Sequence, residues 1–446
     1  MVEQRMTSNE AVDIVERVLK ALKKAGADDG RVRLDGGISR DVRFARNGIT
    51  TNANIRSLKV VLYASVGTRT AQIEGNRLDD EGIAKQAAQA VANARVLPES
   101  GEYVPTPGPQ DYDKVSAWFQ NTAELTPEQL AAMAGKVISA SRAKGVTSAG
   151  FVSAKDWLLA VGTMNGASAF HRDTSIKLTA TARTADGTGS GWAGSYARDL
   201  NRFSADSVAE GAISRALRSV EPVELEPGDY PVILEPQAVA NVIGTFRWVM
   251  NARRADEGRN FFSKEGGGNK IGERLWDNPL SMKTEPGNPL MLSGPFSWEA
   301  IPQTPVTWVD NGVLKELPYK EYWAQKNNRQ PRPWPWAWML EGDGPTTSLE
   351  EMIKGTERAI LVTRLWYIRF VDWKNMIVTG LTRDGTFLVE SGRITKPVKN
   401  FRFNESPVDV LQNVSHFSEP VTVDGGTAVP ALAVKRFRFT SVSEAV

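Results

Sequence analysis

Apolar positions along the chain follow a helical period in some stretches and a strand period in others. Ala11, Ile14, Val15, Val18, Leu19 and Leu22 recur at helical spacing, Thr7 and Glu10 are spaced as a capping box, and Gly26 stands where a C-terminal cap belongs. Short β-rich runs follow at 32–34, 41–44 and 58–64, with Ala45-Arg46-Asn47-Gly48 as a hairpin turn, and then an alanine-rich amphipathic helix over 82–94. The proline-rich run 104–112 continues neither a helix nor a central strand and reads as a linker. Thr126, Pro127 and Gln129 open the next helix, which runs to about Lys144 and stops at Gly145. Three β-rich runs come next, at 147–153, 157–163 and 175–184, with Asn165-Gly166 as a second hairpin turn, and a helix over 205–220 closes the region.

Helix, strands and helix thus occur twice, over about 8–94 and 127–220, a loose duplication of architecture with no residue-level repeat behind it. The run 221–231 marks a second boundary, followed by a buried-type strand at 230–234 and an apolar helix over 237–251. Beyond it lie many short strands, glycine and proline punctuation and most of the tryptophans, the texture of a twisted, mostly antiparallel β domain. The fold class expected is α+β, with an N-terminal α+β region over 1–225 and a C-terminal β-rich domain over 226–446.

Composition narrows the chemistry. A chain of 446 residues exceeds what one core serves, and 41% hydrophobic with 24% charged residues is ordinary globular usage. The formal net charge of +2 gives no bulk reason to expect nucleic acid or an acidic membrane surface. The opening residues carry acids early and lack the apolar core of a signal peptide, and no run is apolar for long enough to span a bilayer, so a cytoplasmic protein is expected. The absence of cysteine excludes disulfides, thiolate catalysis and iron–sulfur ligation. The only histidines, His171 and His416, are far apart, so the chain cannot assemble a zinc-hydrolase site of the usual kind; His171 lies beside an expected strand and His416 in an expected loop.

Other candidates are weak. Gly187 to Gly191 has the wrong spacing for a nucleophile elbow, and the Gly266-Gly267-Gly268 run lacks the lysine and hydroxyl of a phosphate loop. In Pro331 to Trp338 three tryptophans alternate with proline, and the reading favoured is that they cover a β surface or fill an interface rather than stack bases. Arg364, Arg369 and Lys374 interleave with Trp366, Tyr367 and Phe370, as in a half-buried strand whose charges face solvent.

Several separate motifs together resemble the TldD/PmbA family. They are the run from Gly380 to Gly392, the run from Leu365 to Asp372, Asn311-Gly312-Val313-Leu314-Lys315, the stretch from Pro397 to Ser406, and Asn47-Gly48 with the strand after it. Active members of that family resemble zinc metallopeptidases with a His-Glu-x-x-x-His helix soon after the strand that here is 230–234, and a cysteine ligand nearer the C-terminus. Laid against that pattern without gaps, Gly244, Thr245 and Val249 stand where the first histidine, the glutamate and the second histidine belong, and the cysteine is missing. The resemblance therefore implies the metal-free PmbA/TldE-type subunit. Such a chain holds no catalytic residue, metal or cofactor of its own; zinc resides in a TldD-like sibling, and the two form a heterodimer that cleaves unfolded peptides such as leader segments or labile antitoxins. It also implies chamber-lining, substrate-binding positions at Thr379, Gly380, Thr382, Arg383 and Asp384, with the peptide held extended, the alternative being that these residues are β-hairpin framework; from the net charge, no nucleic-acid partner is expected, and no membrane partner either. The alternatives are a stand-alone homodimeric peptide- or protein-binding protein without proteolysis, and an enzyme that uses carboxylates alone.

Overall fold

The computed structural model describes residues 5–443. Residues 1–4, where the reading of the N-terminus for a targeting signal begins, lie outside them, as do 444–446. Helix α1 (Ser8–Ala25) begins as local chemistry dictates: the Glu10 N–H donates to Thr7 Oγ1 at 3.2 Å and the Thr7 N–H donates to Glu10 Oε2 at 2.7 Å. Strands β1 (Asp29–Ala45) and β2 (Gly48–Val66) form a long hairpin, closed by Arg46 and Asn47 at φ 50° and 56°. Then come β3 (Arg69–Gly75), α2 (Asp80–Val96), the single turn α3 (Gln120–Ala123), α4 (Pro127–Ala143), β4 (Thr147–Thr163), β5 (Ser168–Arg183), β6 (Ser190–Ala197) and α5 (Ala205–Arg218).

These strands make one antiparallel sheet in the order β3-β2-β1-β4-β5-β6, so two helix–three-strand–helix units meet along the β1–β4 seam. On β1 the core residues Val32, Leu34, Val42 and Phe44 share one parity and hence one face; α1 and α2 pack over the first pair, α4 and α5 over the second. The duplication is therefore real at the level of architecture. Two expectations change. The runs 32–34 and 41–44 belong to one strand, as do 147–153 and 157–163, while β3 and β6 were not expected at all. Gly36 and Gly37 look like a strand break, but they sit at φ 153° and 155° where the neighbouring strands press in: a Cβ would lie 2.2 Å from Ser57 O and 2.0 Å from Asp156 O. Asp156 in turn is 1% exposed, because Arg172 Nε and Nη2 donate to its two oxygens at 2.7 and 2.9 Å.

The second half contains β7 (Gly228–Leu234), α6 (Pro236–Ile243), α7 (Phe246–Val249), α8 (Ala252–Asp256), β8 (Leu280–Thr284), β9 (Val306–Asp310), β10 (Val313–Leu314), α9 (Glu321–Lys326), β11 (Met339–Gly342), α10 (Leu349–Lys354) and β12 (Arg358–Val362). It ends with β13 (Leu365–Asp372), β14 (Ile377–Thr382), β15 (Thr386–Glu390), β16 (Arg393–Pro397), β17 (Phe401–Glu405), α11 (Pro407–Gln412), β18 (Val414–Phe417), β19 (Val421–Thr422), β20 (Ala428–Val429) and β21 (Leu432–Val442). They build a six-stranded sheet, β10-β9-β8-β11-β20-β19, and a nine-stranded one, β13-β14-β17-β21-β7-β12-β15-β16, with β18 also on β21. Pairing is antiparallel except at β7–β12 and β11–β20. Helix α6 packs on β7, β13 and β20, and the large core around it includes fully buried Phe246, Phe262 and Trp276. Burial of a side chain that size stabilises by about 1.5–3 kcal/mol. The fold is α+β, as the hydrophobic pattern indicates.

Candidate functional site

The apolar run 237–251 does not form one helix. Helix α6 ends at Ile243; Gly244 and Thr245 keep helical dihedrals, but the Thr245 N–H and Oγ1 both donate to the Val242 carbonyl, at 3.1 and 2.6 Å, and tighten the turn. After α7, Met250 turns extended at ψ 99° and α8 starts afresh. Phe246, Val249 and Met250, at the i, i+3 and i+4 spacing of one helix face, are all buried in the core. Trp248 is left 65% exposed.

Opposite this turn runs β13, an edge strand. Its pairing with β14 shifts register between Trp366 and Arg369, and Tyr367 sits at φ 56°. The irregularity interrupts the alternation expected from the sequence: Trp366 and Tyr367 are 38% and 55% exposed, so the aromatic residues face solvent along with the arginines. Phe370 stacks on Trp373 at 4.0 Å. Between this strand and the turn lies a groove of about 560 Å³, lined by Gly244, Thr245, Trp248 and the 364–370 segment. Trp248 also lines a second groove of about 490 Å³ with Trp298, Trp334 and Trp336. A third, of about 350 Å³, shares Asn251, Glu299, Lys320 and Glu321 with the second. Through these shared lining residues the three grooves adjoin as a trench. Burial pushes the Glu321 carboxyl up, and nearby Glu299 adds to the effect. The proline–tryptophan run divides its work: Trp338 is buried in the core, Trp334 packs against that core, and the Trp336 Nε1–H donates to the Phe296 carbonyl at 3.3 Å beside the trench.

Of the degenerate motif positions, Gly244 and Thr245 open onto the groove, while Val249 is fully buried in the core. These residues do not fit a zinc ion. Gly244 offers no side chain, the Thr245 hydroxyl is already committed to a carbonyl, and Val249 is an aliphatic side chain in the core. Among the described residues no three His, Cys, Asp or Glu side chains gather as a metal site. His171, on β5, is 6% exposed with an unpartnered Nε2; burial lowers its pKa against the opposing pull of Asp173, 3.9 Å away. His416 is exposed on β18, a strand where a loop was expected.

The five motif-derived positions lie on and beyond β14. Gly380 faces Phe403, whose ring a Cβ would approach to 2.7 Å. Thr382 is 1% exposed, and its Oγ1 accepts from the Phe401 N–H at 2.9 Å. Asp384 is 3% exposed; it accepts from Ser190 Oγ at 2.7 Å and Arg364 Nη1 at 3.1 Å, and its carbonyl accepts from the Trp192 N–H at 3.3 Å. It therefore ties β6 of the first half to the second. Thr379 is half-buried beside Arg369 in the ladder, and the Arg383 guanidinium lies 4.1 Å over the Trp366 ring. Trp248, Trp298 and Trp373 carried no signal in the hydrophobic pattern, since an isolated tryptophan reads as core until its surroundings are known.

Residues 227–441 match the PmbA/TldA metallopeptidase C-terminal domain. The whole fold is shared with TldE from Thermococcus kodakarensis, at TM-score 0.85 and 18% identity over 96% of this chain and 100% of that one. A candidate modulator of a DNA gyrase from Thermotoga maritima is similar at TM-score 0.83 and 19% identity, covering 96% of this chain and 99% of that one. A further candidate modulator of DNA gyrase, from Bacteroides thetaiotaomicron, is similar at TM-score 0.84 and 17% identity, covering 98% and 100%. No curated protein sequence is significantly similar to the chain. Residues 227–441, somewhat under half of the chain, are thus a domain of the PmbA/TldA metallopeptidase type, and the chain as a whole has the fold of these three structures.

Proposed function

We propose that this chain is the non-catalytic subunit of a heterodimeric TldD/TldE-like zinc peptidase and binds extended peptide substrate for a zinc-bearing sibling. One observation carries the reading: the turn where the family's catalytic helix belongs is kept and opens on a groove, but it presents Gly244 and Thr245 there and hides Val249. Glycine and valine supply no metal ligand, and a threonine hydroxyl bonded to its own helix is a poor base beside a glutamate. The trench and the edge strand β13 suit an extended chain, because an unpaired strand edge offers main-chain hydrogen bonds that read little sequence. Unfolded peptides, leader segments or labile antitoxin-like chains among them, fit such a surface.

Co-expression with a His-Glu-x-x-x-His sibling tests it. The expected outcome is a stable heterodimer with one zinc that is lost when the sibling's motif alone is substituted. Zinc retained by this chain alone, or a homodimer that ignores the sibling, would overturn the proposal. This chain by itself should keep its melting temperature after dialysis against a chelator; a fall would reveal a metal it does hold.

A further inference from the structure

Resting on the peptide-binding reading above, we infer that the groove beside Gly244 and Thr245 selects acidic segments: it takes an Asp or Glu side chain, or a terminal carboxylate, next to an apolar residue of an extended peptide. The groove lining contains two guanidinium groups, Arg364 and Arg369, and no carboxylate. Two acids adjoin its lining in the chain or by contact: Asp384 is 3% exposed and engaged by Ser190 and Arg364, and Asp372, next to Trp373, accepts from the Lys374 and Asn375 N–H groups and from Asn375 Nδ2. Arg369 donates to the Ile368 carbonyl at 2.9 Å and has no carboxylate partner among the described residues; Arg247, which lines the second groove, donates to the Trp336 carbonyl at 3.2 Å. A guanidinium whose protein contacts are only to a ring and a carbonyl keeps N–H donors for an incoming carboxylate.

The aromatic residues act with the arginines. The Arg369 guanidinium lies 4.4 Å from the Tyr367 ring centroid and that of Arg383 4.1 Å from the Trp366 ring centroid. Stacking of this kind holds the Arg369 cation in place and leaves its edge toward solvent, whereas Arg383 also lies 3.6 Å from the Asp384 carboxylate. Exposed Trp248 and Trp366 supply rigid apolar walls for the neighbouring residue of the peptide. The choice of sign is local. The second groove is mixed: Glu299 and Glu321, which have no ion-pair partner among the described residues, stand there with Arg247, Arg254 and Lys320, whereas the charged groups lining the first groove are all cationic. Glu299 and Glu321 interrupt the run of positive charge that a polyphosphate backbone follows.

The test uses the full chain and three dye-labelled peptides of one apolar sequence that differ only at a central pair of positions: Asp-Glu, Asn-Gln or Lys-Lys. A thymidine oligonucleotide of matching length is the fourth probe, and anisotropy is read at two salt concentrations. The acidic peptide should bind about tenfold more tightly than its amide counterpart. That advantage should shrink at high salt. Arg369→Gln should bring the affinity for the acidic peptide close to that for the amide peptide, whereas Arg247→Gln, in the second groove, should leave the gap between them open. Equal binding of acidic and amide peptides would overturn the charge selection and leave peptide binding standing. Failure of all three peptides to bind would overturn both readings. An oligonucleotide that binds more tightly than the acidic peptide would assign the groove to nucleic acid instead.

Discussion

Asp384→Ala separates a structural role for the 379–384 segment from a substrate-facing one. The Asp384 carboxylate holds Ser190 Oγ at 2.7 Å and Arg364 Nη1 at 3.1 Å, with Arg383 Nε at 3.6 Å. Removing it strands a buried hydroxyl and leaves two guanidinium groups short of their counter-ion. Loss of one partner of a fully buried pair costs about 3–5 kcal/mol. Here the Arg364 and Arg383 side chains are 22% and 21% exposed, so water takes up part of the loss. The lower end of that range, about 3 kcal/mol, is expected for the three contacts together. Alanine also fits poorly at φ 57°, where Asp384 sits and where an L-residue costs about 1 kcal/mol or more. Asp384→Asn tolerates that dihedral and can still accept from Ser190, so it should lose only about 1–2 kcal/mol, the charged part of the interaction. Urea unfolding followed by tryptophan fluorescence reads the difference at constant m-value. A cycle with Ser190→Ala should give a coupling of about 1–2 kcal/mol. If Asp384→Ala lies within about 0.5 kcal/mol of the parent, or shows no coupling to Ser190, the tie between the two halves is not where the structure puts it.

Three further outcomes are expected. Gly380→Ala drives a methyl to 2.7 Å from the Phe403 ring and should destabilise by about 1–3 kcal/mol in thermal melts; a neutral result would mean that β14 and β17 pack more loosely than they do here. Trp248→Ala, at a side chain 65% exposed, should change stability by no more than about 0.5 kcal/mol yet weaken binding of an extended peptide about tenfold by anisotropy. A large stability loss would instead make Trp248 a core residue. Burial holds the His171 imidazole below its usual range, so as pH falls the unfolded chain takes up its proton first. The stability at stake is present above about pH 6.5 and is lost as pH falls through the lower folded pKa. Melting temperatures from pH 7.5 to 5.5 should therefore fall less steeply in His171→Gln, and equal slopes would refute this.

Much of the first half was legible because its signals are local. The Thr7–Glu10 and Thr126–Gln129 capping boxes close within three residues, and the hairpin turn between Ala45 and Gly48 needs only positive φ at Arg46 and Asn47, which asparagine accepts readily. The same local reading cut β1 at Gly36-Gly37 and β4 around Asp156. What makes these positions strand is a neighbour far along the chain: Ser57 pressing on the glycines, Arg172 neutralising the aspartate.

The candidate site divides the same way. The sequence by itself determined a negative: without cysteine, and with histidines only at 171 and 416, no catalytic zinc site of the usual kind can form, because ligand chemistry is a property of residue type. It also placed that deficit at Gly244, Thr245 and Val249 through the family resemblance. Only the tertiary structure decided that Gly244 and Thr245 face a groove while Val249 enters the core, and that Trp248 stands between them on the open side. Likewise it put Asp384, 194 residues from Ser190 in the chain, inside the molecule as a tie between its halves. The physical reason is direction. A sequence fixes which side chains exist and what short-range turns they favour, but which way each one points is set by packing among elements that meet only when the chain has folded.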